Sequence, residues 1–192
     1  MIAIIKYNAG NIRSVQNALN RLGYESIITD DKTEILNASK VIFPGVGEAS
    51  SAMQYLEEKG LDDVIRSIKK PMLGICLGLQ LMCEYSEEGN TQCLGIFNTQ
   101  VKKFPPKEKV PHIGWNNFTE VKSALFKDIK VTDDMYYVHS YYAENNPQSI
   151  ATCDYILPFA TAMQHDNFYA TQFHPEKSAD VGTQLLKNFL EL

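Results

Sequence analysis

Nothing in this 192-residue chain approaches the apolar length of a membrane span. Met1 opens a five-residue apolar run that ends at Lys6, which is no secretory leader. Basic residues are scattered: the formal net charge is -5, and adjacent cations occur just at Lys69-Lys70 and Lys102-Lys103. That argues against a nucleic-acid surface. The four cysteines, Cys76, Cys83, Cys93 and Cys153, contain no Cys-x-x-Cys pair. Their spacing speaks against a disulfide framework or a zinc site and for reduced thiols in the cytoplasm. Internal repeats and low-complexity segments are lacking too. What remains, 44% hydrophobic and 21% charged residues, is ordinary for a soluble globular protein. A chain this long fits one domain, residues 1–192, burying roughly 70% of its unfolded surface.

The first half alternates strand and helix. Ile2–Ile5 reads as a strand, followed by a helix with Ile12, Val15, Leu19 and Leu22 at helical spacing and Gly23 beyond its end. Ser26–Thr29 and Lys40–Phe43 are further strands, with a short helix around Thr33–Asn37 between them. Helices over Ala49–Glu58 and Leu61–Ile68 lead to a strand at Met72–Ile75, and this alternation implies a parallel sheet flanked by helices. From Gly95 to Phe173 short β segments take over: Gln100–Phe104, Asn117–Val121, Met135–Ser140, Ser149–Cys153, Thr161–Gln164 and Tyr169–Phe173. Lys103–Lys109 reads as a surface loop and Glu84–Glu88 as a solvated helix end. A last helix carries Val181, Leu185, Leu186, Phe189 and Leu190 on one side. The fold class is α/β, with a mostly parallel central sheet and a β-rich second half.

The chemistry concentrates at two places. Gly74-Ile75-Cys76-Leu77-Gly78 joins an apolar strand to a helix expected from Leu77 to about Tyr85. A cysteine flanked by glycines at both two-residue offsets suits a nucleophile elbow, with sulfur where serine more often stands. Helix N–H groups aimed at that sulfur favour thiolate. About a hundred residues later comes Phe173-His174-Pro175-Glu176. In an extended segment His174 and Glu176 face one side, though Glu176 reaches the imidazole ring only if the strand bends. Cysteine, histidine and carboxylate together suggest a base-activated nucleophile. Pro44-Gly45-Val46-Gly47 follows another strand, at the carboxyl edge where open α/β sheets bind ligands. Its glycines permit a backbone flip that aims an N–H at an oxyanion. No Lys-Ser/Thr follows, so a phosphate loop is disfavoured. Gln80, one helical turn beyond Cys76, faces the same region.

These residues make the chain resemble the class I, triad-type glutamine amidotransferases. Within them it is similar to the glutaminase subunits of imidazole glycerol phosphate synthase. The matching stretches are Tyr7–Val15, Phe43–Gly47, Leu73–Leu81, Val110–Asn116, Tyr137–Tyr141 and Gln172–Ser178, in family order over nearly the whole chain. The Pro-His-x-Gly-Trp-Asn and Val-His-Ser-Tyr segments point to the subfamily. The resemblance implies Cys76, His174 and Glu176 as the triad. It implies an oxyanion hole from the Val46 and Leu77 N–H groups, with Gly45 as hinge beside Gly47. Glutamine would be held by Gln80 and by backbone at Gly47, Ser140 and Tyr141. The implied partner is a (β/α)8 cyclase forming a heterodimer, met by Asn11, Trp115, Tyr136 and Lys177. No cofactor and no metal are implied. One departure stands out: many relatives have Asp-Tyr-Gly where this chain has Lys6-Tyr7-Asn8.

Two other functions stay open on the residues alone. One is a paralogous glutaminase feeding a sugar-modifying synthase; the other is a free-standing cysteine hydrolase, for which no extended specificity pocket is visible. His112 and His139, set in apolar or aromatic segments, read as structural histidines. Trp115 reads as an interface anchor, since tryptophan is enriched at binding hot spots.

Overall fold

The computed structural model describes residues 1–192. The first half runs β1 (Ile2–Ile5), α1 (Ile12–Arg21), β2 (Ser26–Thr29), α2 (Lys32–Asn37), β3 (Lys40–Phe43), α3 (Ala49–Lys59), α4 (Leu61–Ser67), β4 (Met72–Ile75) and α5 (Leu77–Met82). Then come β5 (Tyr85–Ser86), β6 (Thr91–Gln92), β7 (Gln100–Lys103), β8 (His112–Asn116), β9 (Glu120–Val121), β10 (Met135–His139) and β11 (Tyr141–Ala143). The chain closes with β12 (Ser149–Tyr155), β13 (Leu157–His165), β14 (Phe168–Thr171) and α6 (Ala179–Glu191).

The apolar runs of β1, β3 and β4 become the middle of the sheet, buried on both faces but for Lys40 at the start of β3, as parallel strands covered by helices must be. β2, β1, β3, β4 and β14 lie side by side and parallel. Beyond β14 the sheet turns antiparallel through β13, β11 and β7. β14 is thus the seam between the two halves, and its C-terminal end lies beside that of β4, with Thr171 opposite Ile75. One core layer packs α3, α4 and α5 on one face, with Phe43, Leu56, Leu79 and Phe97 at its heart. The other packs α1, α6 and the antiparallel strands, with Tyr137, Phe159, Phe173 and Phe189.

Three expectations need correction. The stretch His112–Asn116 is a strand, and the next one is just Glu120–Val121; β8 pairs with β10 in a ribbon outside the main sheet. Tyr85–Ser86 is a strand followed by a 3-10 turn at Glu88–Asn90, not a helix end. α5 stops at Met82, because Cys83 turns extended and its N–H bonds the Gln80 carbonyl.

Candidate active site

Cys76 sits between β4 and α5 with φ 54° and ψ -105°. A non-glycine residue with positive φ is strained. Its neighbours hold it there: the Cys76 N–H bonds the Thr171 carbonyl of β14 at 2.7 Å, and the Gln80 N–H bonds the Cys76 carbonyl. A Cβ at Gly78 would lie 2.0 Å from the Phe43 carbonyl oxygen, and one at Gly74 2.6 Å from Met82 Sδ. Both glycines are required by close packing, not by unusual φ.

The bend that the extended reading lacked is present. β14 ends at Thr171, and Pro175–Lys177 form a 3-10 turn. This wraps Glu176 back onto His174, so that Nδ1 lies 2.8 Å from Glu176 Oε1 with both side chains fully buried. His174 Nε2 is buried and makes no hydrogen bond of ordinary geometry, yet its charge couples to the Cys76 sulfur. Burial by itself would push the imidazole down; the nearby Cys76 sulfur, through its charge, and the hydrogen-bonded Glu176 carboxylate outweigh that and carry it up to about 10. The arrangement suits a protonated imidazole held between the sulfur and the carboxylate.

The Pro44–Gly47 turn lies directly against this pair. The Leu77 N–H donates to the Gly45 carbonyl at 3.2 Å, and the Val46 carbonyl accepts from the Gly10 N–H at 3.0 Å. In a trans peptide the C=O and the following N–H point opposite ways. With the Gly45 carbonyl on Leu77, the Val46 N–H faces away. Turning this one peptide would free Leu77 and bring Val46 in. A Cβ at Gly45 would lie 2.0 Å from Tyr7 Oη, whose hydroxyl donates to the Pro44 carbonyl at 2.6 Å.

A cavity of about 290 Å³ opens over the sulfur, lined by Val46, Gly47, Cys76, Gln80, Glu88 and Ser140 among others. Gln80 spends both amide hydrogens on protein, at 3.1 Å to the Tyr141 carbonyl and 3.0 Å to Gln172 Oε1. Its own Oε1 is left to accept from a ligand. Glu88, expected on a solvated helix end, has one carboxylate oxygen fixed by the Ala49 N–H at 2.9 Å. Burial, foremost, pushes its carboxyl above the usual range. A carboxylate, an amide oxygen and backbone groups around a cysteine fit a zwitterionic amino acid.

The glutamine amidotransferase class-I family model matches residues 3–192. The chain belongs to the class-I glutamine amidotransferases. It is 57% identical over 194 residues to the imidazole glycerol phosphate synthase subunit HisH of Bacteroides fragilis, covering 100% of this chain and 99% of that one. To the protein of the same name from Pasteurella multocida it is 46% identical, covering 99% and 97%. Among solved structures, a glutamine amidotransferase superposes with a TM-score of 0.76 at 19% identity, covering 100% of this chain and 98% of the other. The glutaminase domain of Trypanosoma brucei CTPS, solved with bound acivicin, gives 0.66 at 17% identity, covering 99% and 93%. At those identities the structures speak for the amidotransferase fold alone.

On this amidotransferase the residues expected at a partner surface fall in two groups. Trp115 on β8 and Tyr136 on β10 are register partners, their rings edge to face at 5.8 Å. Trp115 is 54% exposed and Ile113 on the same face 53%; Lys177 is exposed immediately after Glu176. Asn11 differs. Half-buried at the start of α1 with φ 71°, it turns its side-chain amide inward, donating to Glu176 and lying 3.5 Å from His174 Nδ1. It is a support of the His174–Glu176 couple.

The two structural histidines form a chain with determined tautomers. A carbonyl accepts and cannot donate, so His139 Nδ1, 2.8 Å from the Tyr141 oxygen, carries a proton. His139 Nε2 must then accept from His112 Nδ1 at 3.0 Å, and His112 Nε2 from the Asn116 amide at 3.4 Å. Burial lowers both rings, His112 to about 4 and His139 to about 3, so they stay neutral at neutral pH. No helix of the chain is long and apolar enough to cross a membrane.

Proposed function

We propose that residues 1–192 act as one domain, the glutaminase subunit of an imidazole glycerol phosphate synthase. It hydrolyses glutamine at Cys76 in the cytoplasm and passes ammonia to a cyclase partner built as a (β/α)8 barrel. The observation that carries the chemistry is the strained cysteine elbow opening into a cavity beside a fully buried His–Glu couple. The pathway rests on the similarity, over the whole chain, to the HisH subunits.

The Cys76 thiolate attacks the side-chain amide carbon of glutamine, and the carbonyl oxygen becomes an oxyanion between the Leu77 and Val46 N–H groups once the Gly45–Val46 peptide has turned. His174 protonates the departing nitrogen, the C–N bond breaks, and ammonia leaves a γ-glutamyl thioester. His174 then takes a proton from water, which attacks the thioester; glutamate leaves and the thiolate is restored. Glu176 and Asn11 hold the imidazole. Glu88 and Gln80 Oε1 receive the substrate's ammonium, while backbone at Gly47, Ser140 and Tyr141 orients its carboxylate.

The test pairs Cys76→Ala with the cyclase partner. Glutamate release should vanish, and imidazole glycerol phosphate synthesis should fail with glutamine yet recover with ammonium salt at alkaline pH. Glutamate release by Cys76→Ala would sink the mechanism. Ammonia consumed on a sugar by a different synthase would preserve the glutaminase and overturn the pathway.

A further inference from the structure

We propose that Gln172 is a hydrogen-bond donor to the reacting sulfur, with its polarity imposed by the Tyr141 carbonyl through Gln80. The inference deepens the glutaminase reading, on which it rests. Gln172 is fully buried beside the cysteine. Its Nε2 lies 3.6 Å from Cys76 Sγ, and its Oε1 accepts from Gln80 Nε2 at 3.0 Å. Its backbone is anchored by the bond from its N–H to the Thr161 carbonyl at 2.8 Å.

A primary amide turned by 180° keeps its shape and exchanges donor for acceptor, so the direction matters and needs an independent anchor. Tyr141 provides it. Its carbonyl can accept but never donate, so Gln80 must meet it with NH2, at 3.1 Å. The other hydrogen of that nitrogen points to Gln172, which must answer with its oxygen. The Gln172 NH2 is then what remains for the sulfur. Reversing Gln172 alone would set NH2 against NH2; reversing both amides would set oxygen against the Tyr141 oxygen. Each alternative leaves buried polar groups unpaired, which is unfavourable.

An N–H aimed at sulfur stabilises thiolate more than thiol, because hydrogen bonds to a charged acceptor are the stronger ones. The same amide pair also fixes Gln80 Oε1 toward the cavity. Gln172 therefore links the nucleophile to the group that faces the substrate's ammonium, without itself reaching the cavity lining.

Alkylation of the full chain by iodoacetamide across pH 5–10, with the modified site located by mass spectrometry, reads this directly and needs neither glutamine nor partner. In Gln172→Leu the pH midpoint for Cys76 should move up by about one unit, slowing alkylation at pH 7 roughly tenfold. Gln172→Glu, equal in size, should slow it further by placing an acceptor against the sulfur, and it carries the test if the leucine variant does not fold. A structural role alone would lower the melting temperature and leave the midpoint in place; an unmoved midpoint in either folded variant overturns the proposal. If wild-type Cys76 is not modified ahead of Cys83, Cys93 and Cys153, the nucleophile reading itself falls, on wild-type protein alone.

Discussion

The Gly45 carbonyl accepts the Leu77 N–H at 3.2 Å, so the peptide that would supply one oxyanion donor occupies the other. On the proposed mechanism, Cys76, His174 and Glu176 are then in place while the Leu77 N–H is still taken up by the Gly45 carbonyl. The isolated subunit should therefore be a poor glutaminase. Losing one oxyanion donor costs roughly 3–4 kcal/mol, so a partner that favours the turned peptide should stimulate glutamate release about 10²-fold or more. Full turnover by the purified subunit, unchanged by any partner, would argue for a free-standing hydrolase.

Glu88 should matter for binding more than for chemistry. One of its oxygens is engaged by Ala49, and the residue lines the cavity. Glu88→Gln keeps the shape and removes the charge. The expected result is a KM for glutamine raised about tenfold or more with a smaller change in kcat, measured on the complex with the cyclase. An unchanged KM removes Glu88 from the ammonium site.

Trp115 and Ile113 are large, exposed and on one face of β8. Trp115→Ala should weaken binding to the cyclase by more than about 1–2 kcal/mol, read by titration calorimetry, with melting temperature nearly unchanged. Equal affinity in the variant would make Trp115 an ordinary surface residue.

Acid should find the buried histidine pair. His139 titrates near 6.5 when unfolded and about 3 when folded, so the unfolded chain binds more protons in between. Stability from this group is whole above pH 6.5 and falls as pH drops toward 3, by roughly 2 kcal/mol between pH 7 and 5. His174, raised to about 10, runs the other way: its contribution is whole below pH 6.5 and drains as pH climbs to 10. Urea midpoints at pH 7 and 5 should fall on the acid side in wild type and fall less in His139→Phe. Equal pH dependence in the two proteins would contradict the assignment.

The parallel half was legible nearly to the residue, because strands such as Ile2–Ile5 and Met72–Ile75 are short apolar runs with clear ends, Lys6 after the first and Pro71 before the second. The elbow was legible because Gly74 and Gly78 are sterically required. The ribbon was not. His112–Asn116 is short, carries Gly114 in its middle and turns its apolar residues, Ile113 and Trp115, to solvent, so its pattern does not announce a strand. The inward turn of Asn11 and the place of Glu88 in the cavity wall were beyond reach for another reason. Each contact spans a sequence separation that no local pattern encodes: 165 residues from Asn11 to Glu176, and 39 from Ala49 to Glu88. Gln172 stood inside a recognised motif, and the Tyr141 carbonyl that orients it became apparent in three dimensions alone.

The β8–β10 ribbon stands apart from the main sheet, and two-stranded pairs are marginal by themselves. Yet the Tyr136 carbonyl in it holds the His174 N–H at 2.9 Å, and the Tyr136 N–H bonds Ser178 Oγ at 2.9 Å. Amide exchange across the molecule should therefore be graded, slowest in β1, β3 and β4 and faster in the ribbon. A partner seated on Trp115 would slow exchange at Tyr136 and at His174 together. The protection pattern of the backbone would then report, without any substrate present, that the outer surface and the segment carrying His174 open as one unit.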